Sequence, residues 1–206
     1  DRAFPQHLNE IIVEKAIAYR GRGVVGIDIA GPESSSFDPA HYKAAFKRAR
    51  KSGLGITVHT GESGPVEEVA EVIRHLEPDR LGHGVKSAYD ERTMAMLRER
   101  GITLELCPTS NLNSRVVSGW DEFAWIFKTF LKNKVRFTIN TDGPEMLKTY
   151  IRDEMASLAR HDILSVEQQE QAAAWSREAT FVEGAHDAPR PKRTPASRRQ
   201  IEREEA

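Results

Sequence analysis

Short β-branched and apolar runs alternate along this chain with longer stretches in which apolar residues return every three or four positions. The short runs fall at residues 24–29, 56–59, 80–82, 103–107 and 136–140. Most are too brief and too apolar for half-exposed strands, so they predict a parallel sheet buried on both faces. The stretches between them predict crossover helices. Asp38-Pro39 starts one helix, because Asp accepts hydrogen bonds from free N–H groups and Pro suits the first turn; Gly53 ends it. Val66, Val69, Ile73 and Leu76 share one face of the next. Ser87 and Asp90 have the spacing of a capping box, with Gly101 closing that helix. Trp120, Phe123, Phe127 and Phe130 form an aromatic stripe, read as core packing against the sheet.

Two further helical patterns follow the last strand, at about 145–158 and 166–181, and Ser165 with Gln168 caps the second. Leu8, Ile11, Ile12, Ala16 and Ile17 give residues 1–20 a helical face as well. The order is therefore one helix and then five strand–helix units. A closed eight-stranded βα barrel needs eight units and typically ~250 residues. Five strands are too few for one, and the chain predicts an α/β fold over residues 1–182. Residues 183–206 are rich in Pro and charge without an apolar face, and predict a disordered tail.

Composition narrows the function classes. Of 206 residues, 39% are hydrophobic and 30% charged, and the net charge of −1 gives no footprint for nucleic acid. One cysteine, Cys107, cannot form a disulfide framework, so the expected setting is reducing and cytoplasmic. No apolar run is long enough to span a membrane. The first residues lack a signal-peptide layout and a starting Met, which reads as a processed or partial product.

Polar residues gather just after each strand, where parallel α/β folds place their chemistry. His59 suits a metal, since neutral imidazole binds zinc; the plainer role is a hydrogen-bonded histidine at a strand end. Glu62 follows a glycine turn and, shielded from water, can act as a general acid; its plainer role is to cap the next helix. His83 stands between two glycines that leave its ring open to a ligand, or that serve only the turn. Asp142, in Asn140-Thr-Asp-Gly-Pro144, is either a helix cap or a zinc-binding oxygen.

Gly26-Ile-Asp-Ile-Ala-Gly31, His59-Thr-Gly-Glu62, Arg80-Leu-Gly-His-Gly84, Glu105-Leu-Cys-Pro-Thr-Ser-Asn111 and Asn140-Thr-Asp142 resemble, in order and spacing, the motifs of adenosine deaminases. The resemblance covers about residues 24–146 and implies the C-terminal part of the family's TIM (β/α)8 barrel, about strands 4–8. It implies zinc-dependent hydrolytic deamination of an adenosine-like purine nucleoside, with release of ammonia. His59 and Asp142 would be zinc ligands, Glu62 would protonate the purine ring, His83 would orient the attacking hydroxide, and the Gly31 N–H would contact the purine. No lysine stands in these motifs, which favours one metal over the two of many amidohydrolases.

Two departures stand out. The family's His-x-His zinc pair is absent: no two of the seven histidines are one residue apart. Two ligands fall short of the three a catalytic zinc usually has. The missing barrel half is then expected from the same gene or a partner subunit; the alternative is a truncated, inactive or regulatory homologue without zinc. Second, Gly143 stands where adenosine deaminases carry a purine-contacting Asp. This leaves adenosine itself open and points to a related aminopurine nucleoside such as aminodeoxyfutalosine, with Glu145 as a stand-in for the Asp.

Overall fold

A computed structural model describes residues 1–33 and 37–184. Five strands, β1 (Gly26–Ile29), β2 (Gly55–Thr60), β3 (Arg80–His83), β4 (Thr103–Leu106) and β5 (Arg136–Ile139), lie in chain order in one sheet. Every neighbouring pair is parallel. Parallel neighbours require a crossover between them. Helix α1 (Gln6–Ala18) precedes β1; α2 (Pro39–Lys51), α3 (Val66–Leu76) and α4 (Glu91–Arg100) supply the first three crossovers, and α1 to α4 pack on one another in sequence. Consecutive parallel strands with successive helices side by side are the layout of a βα barrel segment. The short α5 (Pro108–Asn113) and then α6 (Trp120–Lys132) join β4 to β5, and α7 (Pro144–Leu147), α8 (Ile151–Arg160) and α9 (Val166–Glu178) follow.

The register separates the two faces of the sheet. Ile29, Val58, Leu81, Leu104 and Phe137 form one row across the five strands. All are buried and belong to the hydrophobic core. Phe137 meets Phe127 of α6 at 5.1 Å and Trp175 of α9 at 5.4 Å between ring centres, so this row faces the helices. The opposite face is polar: Asp28, Thr57, Arg80, Thr103 and Arg136 form one row, and His59, Gly82, Glu105 and Thr138 the next. The strands are therefore apolar on the helix side only, where the sequence predicted apolar burial on both.

The predicted strands agree with those observed to within two residues at each end. The aromatic stripe is core: Phe123, Phe127 and Phe130 are fully buried. Asp38 accepts from the Ala40 N–H at 2.9 Å, and Ser165 and Gln168 form a reciprocal capping box. Three expectations are corrected. Ser87 is no cap; it is buried inside a 3-10 turn over Val85–Tyr89. Asp90 alone caps α4, accepting from the Thr93 N–H at 2.7 Å and its hydroxyl at 2.6 Å. The helix predicted at 145–158 is two, because Lys148 turns left-handed (φ 51°) and the Tyr150 N–H bonds Asp153 at 2.9 Å to start α8. On α1, Val13 and Asn9 are buried, while Leu8, Ile11 and Ile12 of the predicted apolar face are exposed. Most of the expected tail lies beyond Gly184, outside the described residues.

The Thr93 bonds hold the Asp90 carboxyl below its ordinary range. A depressed carboxyl contributes stability above its unfolded pKa and loses it as pH falls through the lower folded value. Asp90→Ala is expected to cost about 1 kcal/mol at pH 7, with the difference from wild type shrinking below about pH 4. Ser87→Ala, which removes a hydroxyl with no partner among the described residues, should cost less. Urea midpoints at pH 7 and pH 3 check both, and a larger loss for Ser87→Ala would reverse the capping assignment.

Candidate active site

The carboxyl ends of the strands form one rim. A cavity of about 600 Å³ opens there, lined by His59, His83, Glu105, Cys107 and Asp142 among others. His59 reaches it because alternation along β2 turns its side chain to the polar face. Gly82, its neighbour on β3, makes room: a Cβ there would stand 2.7 Å from the His59 ring. His83 arrives differently. Alternation from Leu81 would aim it at the helices, but it adopts φ 61° and lines the cavity instead, its ring centre 5.5 Å from that of His59. Asp142 also has a positive φ, 60°. Left-handed backbone in non-glycine residues costs energy and is characteristic of functional sites.

Each candidate is held by a second group. Asp28 Oδ2 lies 2.7 Å from His59 Nδ1, off the direction of the N–H, so the contact is an ion pair more than an aligned hydrogen bond. That carboxylate raises the His59 pKa above the usual histidine value despite the opposing effect of burial. Ser110 Oγ donates to Asp142 Oδ2 at 2.7 Å. Glu62 approaches from the turn after β2: its Oε2 is 3.6 Å from His83 Nε2, and its Oε1 accepts from Asn111 Nδ2 at 3.2 Å. The same Asn111 nitrogen is 3.0 Å from His83 Nδ1. With the amide nitrogen turned to the ring, Nδ1 is the acceptor and the ring proton sits on Nε2, toward Glu62. Burial pushes the Glu105 carboxyl up, opposed by Arg80 at 3.1 Å. Burial also pushes the Cys107 thiol up, which keeps it a protonated, unreactive thiol.

Four of the five residues singled out in the sequence therefore meet at one place: His59, His83 and Asp142 around the cavity and Glu62 against His83. Gly31 does not line it. It follows β1 with φ 118°, under the first residues of the chain, where a Cβ would stand 2.6 Å from Asp1 Oδ1. Glu145 is exposed on α7 and does not line the cavity either. The supporting residues were missed. Asp28 left one signal, a charge in the middle of an apolar strand. Asn111 and Ser110 stood in a quoted motif with nothing to show that α5 would turn them inward. Arg2 and Glu154 left none. Arg2 donates to the His59 carbonyl and to Glu68 Oε1 at 2.8 Å, which also accepts from Thr60 Oγ1 at 2.7 Å. Glu154, fully buried on α8, accepts from the Thr109 N–H at 3.1 Å and the Thr149 hydroxyl at 2.8 Å.

His59 and Asp142 offer the nitrogen and oxygen that zinc accepts, and each has an outer partner of the kind that orients metal ligands. Among the described residues, however, no three His, Cys, Asp or Glu side chains converge on one point. Nor, among them, is any helix long and apolar enough to cross a membrane.

The fold is a parallel βα segment with acid, histidine and aspartate groups on its carboxyl rim, where parallel α/β folds place their chemistry. The adenosine deaminase family model matches residues 2–188, and the chain belongs to that family. Over 171 residues it is 36% identical to an adenosine deaminase of Clostridium botulinum, covering 83% of this chain and 51% of the relative. It thus spans about half the length of the curated relatives it matches. Among solved structures, an amidohydrolase from Burkholderia ambifaria with bound Zn has a TM-score of 0.79 at 25% identity, covering 91% of this chain and 52% of that one. Arabidopsis ADAL complexed with IMP has a TM-score of 0.78 at 26% identity, covering 89% and 52%. The partial-barrel fold expected from the motifs is the fold observed.

Glu154 fastens α8 to α5, the short helix that carries Ser110 and Asn111. Glu154→Ala leaves a buried N–H and a hydroxyl without their acceptor and is expected to cost about 2–4 kcal/mol, with Glu154→Gln costing less. Denaturant unfolding measures this; a loss below about 0.5 kcal/mol for the Ala variant would show that α8 is held by other contacts.

Proposed function

We propose that the whole protein, of which this chain is part, hydrolytically deaminates an adenosine-like purine nucleoside and releases ammonia. The observation that carries this reading is the meeting of Glu62 with His83 and Asn111 at the rim where His59 and Asp142 also point. Hydrolytic attack on an amine-bearing ring carbon needs a protonated acid beside a deprotonated nucleophile. Glu62 is suited to give its proton to the ring nitrogen beside the attacked carbon. His83, its Nε2 turned into the same space, is suited to hold the attacking oxygen on the opposite side. Gly31 would present its N–H to the purine from the end of β1. The purine class is supported by the IMP in the Arabidopsis structure. Gly143 argues for an aminopurine nucleoside other than adenosine as substrate, since a backbone hydrogen cannot replace the carboxylate of the family's Asp.

Zinc is proposed as the cofactor, supported by the Burkholderia structure and by the donor types of His59 and Asp142. When bound, it makes a strongly nucleophilic water available at neutral pH. Two ligands from this chain leave at least one to come from elsewhere in the protein or from a partner subunit.

Two measurements test these readings. In the full-length enzyme, Glu62→Gln removes the proton donor at constant shape, and kcat for aminopurine nucleosides should fall by about 10²–10⁴-fold with little change in KM. Unchanged turnover would reject Glu62 as the acid. The 206-residue chain should retain far less than one zinc per molecule after dialysis, and a chain extended upstream about one. Stoichiometric zinc in the short chain would mean that it completes the site itself. No zinc in either would favour the inactive or regulatory homologue.

A further inference from the structure

The turn that carries Glu62 is gripped by a carboxylate with no part in the reaction outlined above. Glu33 stands two residues beyond Gly31, in the segment after β1. Its side chain crosses to the β2–α3 turn and accepts hydrogen bonds from three successive backbone N–H groups. Oε1 accepts from Glu62 at 3.1 Å, and Oε2 accepts from Ser63 at 2.7 Å and from Gly64. Successive N–H groups converging this way form an anion-binding nest, filled here by the protein's own carboxylate. Gly64 gives independent support. Its φ is one that any residue could adopt, yet a Cβ there would stand 2.8 Å from Glu33 Oε2 and 3.1 Å from Glu33 Cβ. The position is glycine because Glu33 comes so close. The other end of the segment is tied separately, by Arg2 on the His59 carbonyl and Glu68 on the Thr60 hydroxyl.

Glu62 itself has few side-chain contacts, one hydrogen bond from Asn111 and the longer approach to His83. Where its carboxyl sits therefore depends on where its backbone is held. We propose that Glu33 is a positioning residue for Glu62: it fixes the 62–64 turn through three backbone N–H groups and so sets the distance from the Glu62 carboxyl to the purine. This rests on the reading of Glu62 as the proton donor. A displacement near 1 Å at a reacting group can cost about 10²-fold in rate, so the grip matters to turnover even though Glu33 touches nothing that reacts.

Amide hydrogen exchange in the full-length enzyme tests the grip directly. In Glu33→Ala the N–H groups of Glu62, Ser63 and Gly64 are expected to exchange about 10-fold faster or more, while amides within β2 and α3 keep their rates. Gly64→Ala, which pushes the carboxylate away, should give the same pattern. Glu33→Gln makes a sharper demand. Its single oxygen should stay on Ser63 and Gly64, turning the NH₂ group to the Glu62 N–H, so Glu62 alone exchanges faster. This near-isosteric variant also keeps the test usable if Glu33→Ala fails to fold. In the full-length enzyme Glu33→Gln should lower kcat by about 10-fold or more with KM within about twofold. Unchanged exchange of all three amides in Glu33→Ala or Glu33→Gln overturns the proposal. So does altered exchange with unchanged kcat in an enzyme that Glu62→Gln inactivates. If Glu62→Gln leaves turnover intact, the proton-donor reading fails instead, and the role of Glu33 in turnover falls with it; amide exchange then decides only whether Glu33 holds the turn.

Discussion

Parallel pairing in strict chain order brings the carboxyl ends of all five strands to one rim, and every group of the candidate site hangs from it. The pairing is held by the row Ile29, Val58, Leu81, Leu104 and Phe137, buried against the helices. The pleat then sends the alternate residues to the other face. Because that period is two, a one-residue slip would exchange the rows, sending His59 and Glu105 into the helix layer. Burial of one face thus determines what chemistry the other face can carry.

At the rim the regular pleat stops and individual backbone choices take over. His83 and Asp142 are left-handed, and both line the cavity; for His83, the last residue of β3, this reverses the side that strand alternation would give it. Such conformations persist only where neighbours over-determine them. Asn111 and Ser110 on α5 hold His83 and Asp142, and Glu154 of α8 holds α5. Arg2 and Glu33 do the same for the segment from His59 to Gly64. Of the helices after the last strand, α8 thus serves the site through the buried hydrogen bonds of Glu154, although none of its residues was a candidate for chemistry.

Several exposed apolar residues belong to elements next to the two edge strands in the chain: Leu8, Ile11 and Ile12 on α1 before β1, and Met146, Tyr150 and Ile151 after β5. A closed barrel has no edges. The described segment lacks the strands that would close it, and among the described residues no three metal-binding side chains converge. Both gaps agree with a chain that spans half of its curated relatives.

Alternation of short apolar runs with helical periods was enough to place all five strands and most of the helices, because those patterns reflect burial on one side of each element. Capping residues such as Asp38 and Ser165 were legible because a cap acts within one turn. The motifs at the strand ends named His59, Glu62, His83 and Asp142, because parallel strands bring their ends together whatever the intervening helices do. The sequence left undecided which plain role each would also play, the division of the 145–158 region, and the whole supporting cast. Asp28, Asn111, Glu154, Arg2 and Glu33 act on residues 28 to 57 positions away in the chain, through hydrogen bonds or ion pairs that no local spacing encodes. Elements and strand ends are local or periodic properties and can be read along the chain; the contacts that aim each side chain exist only after the chain has folded back on itself.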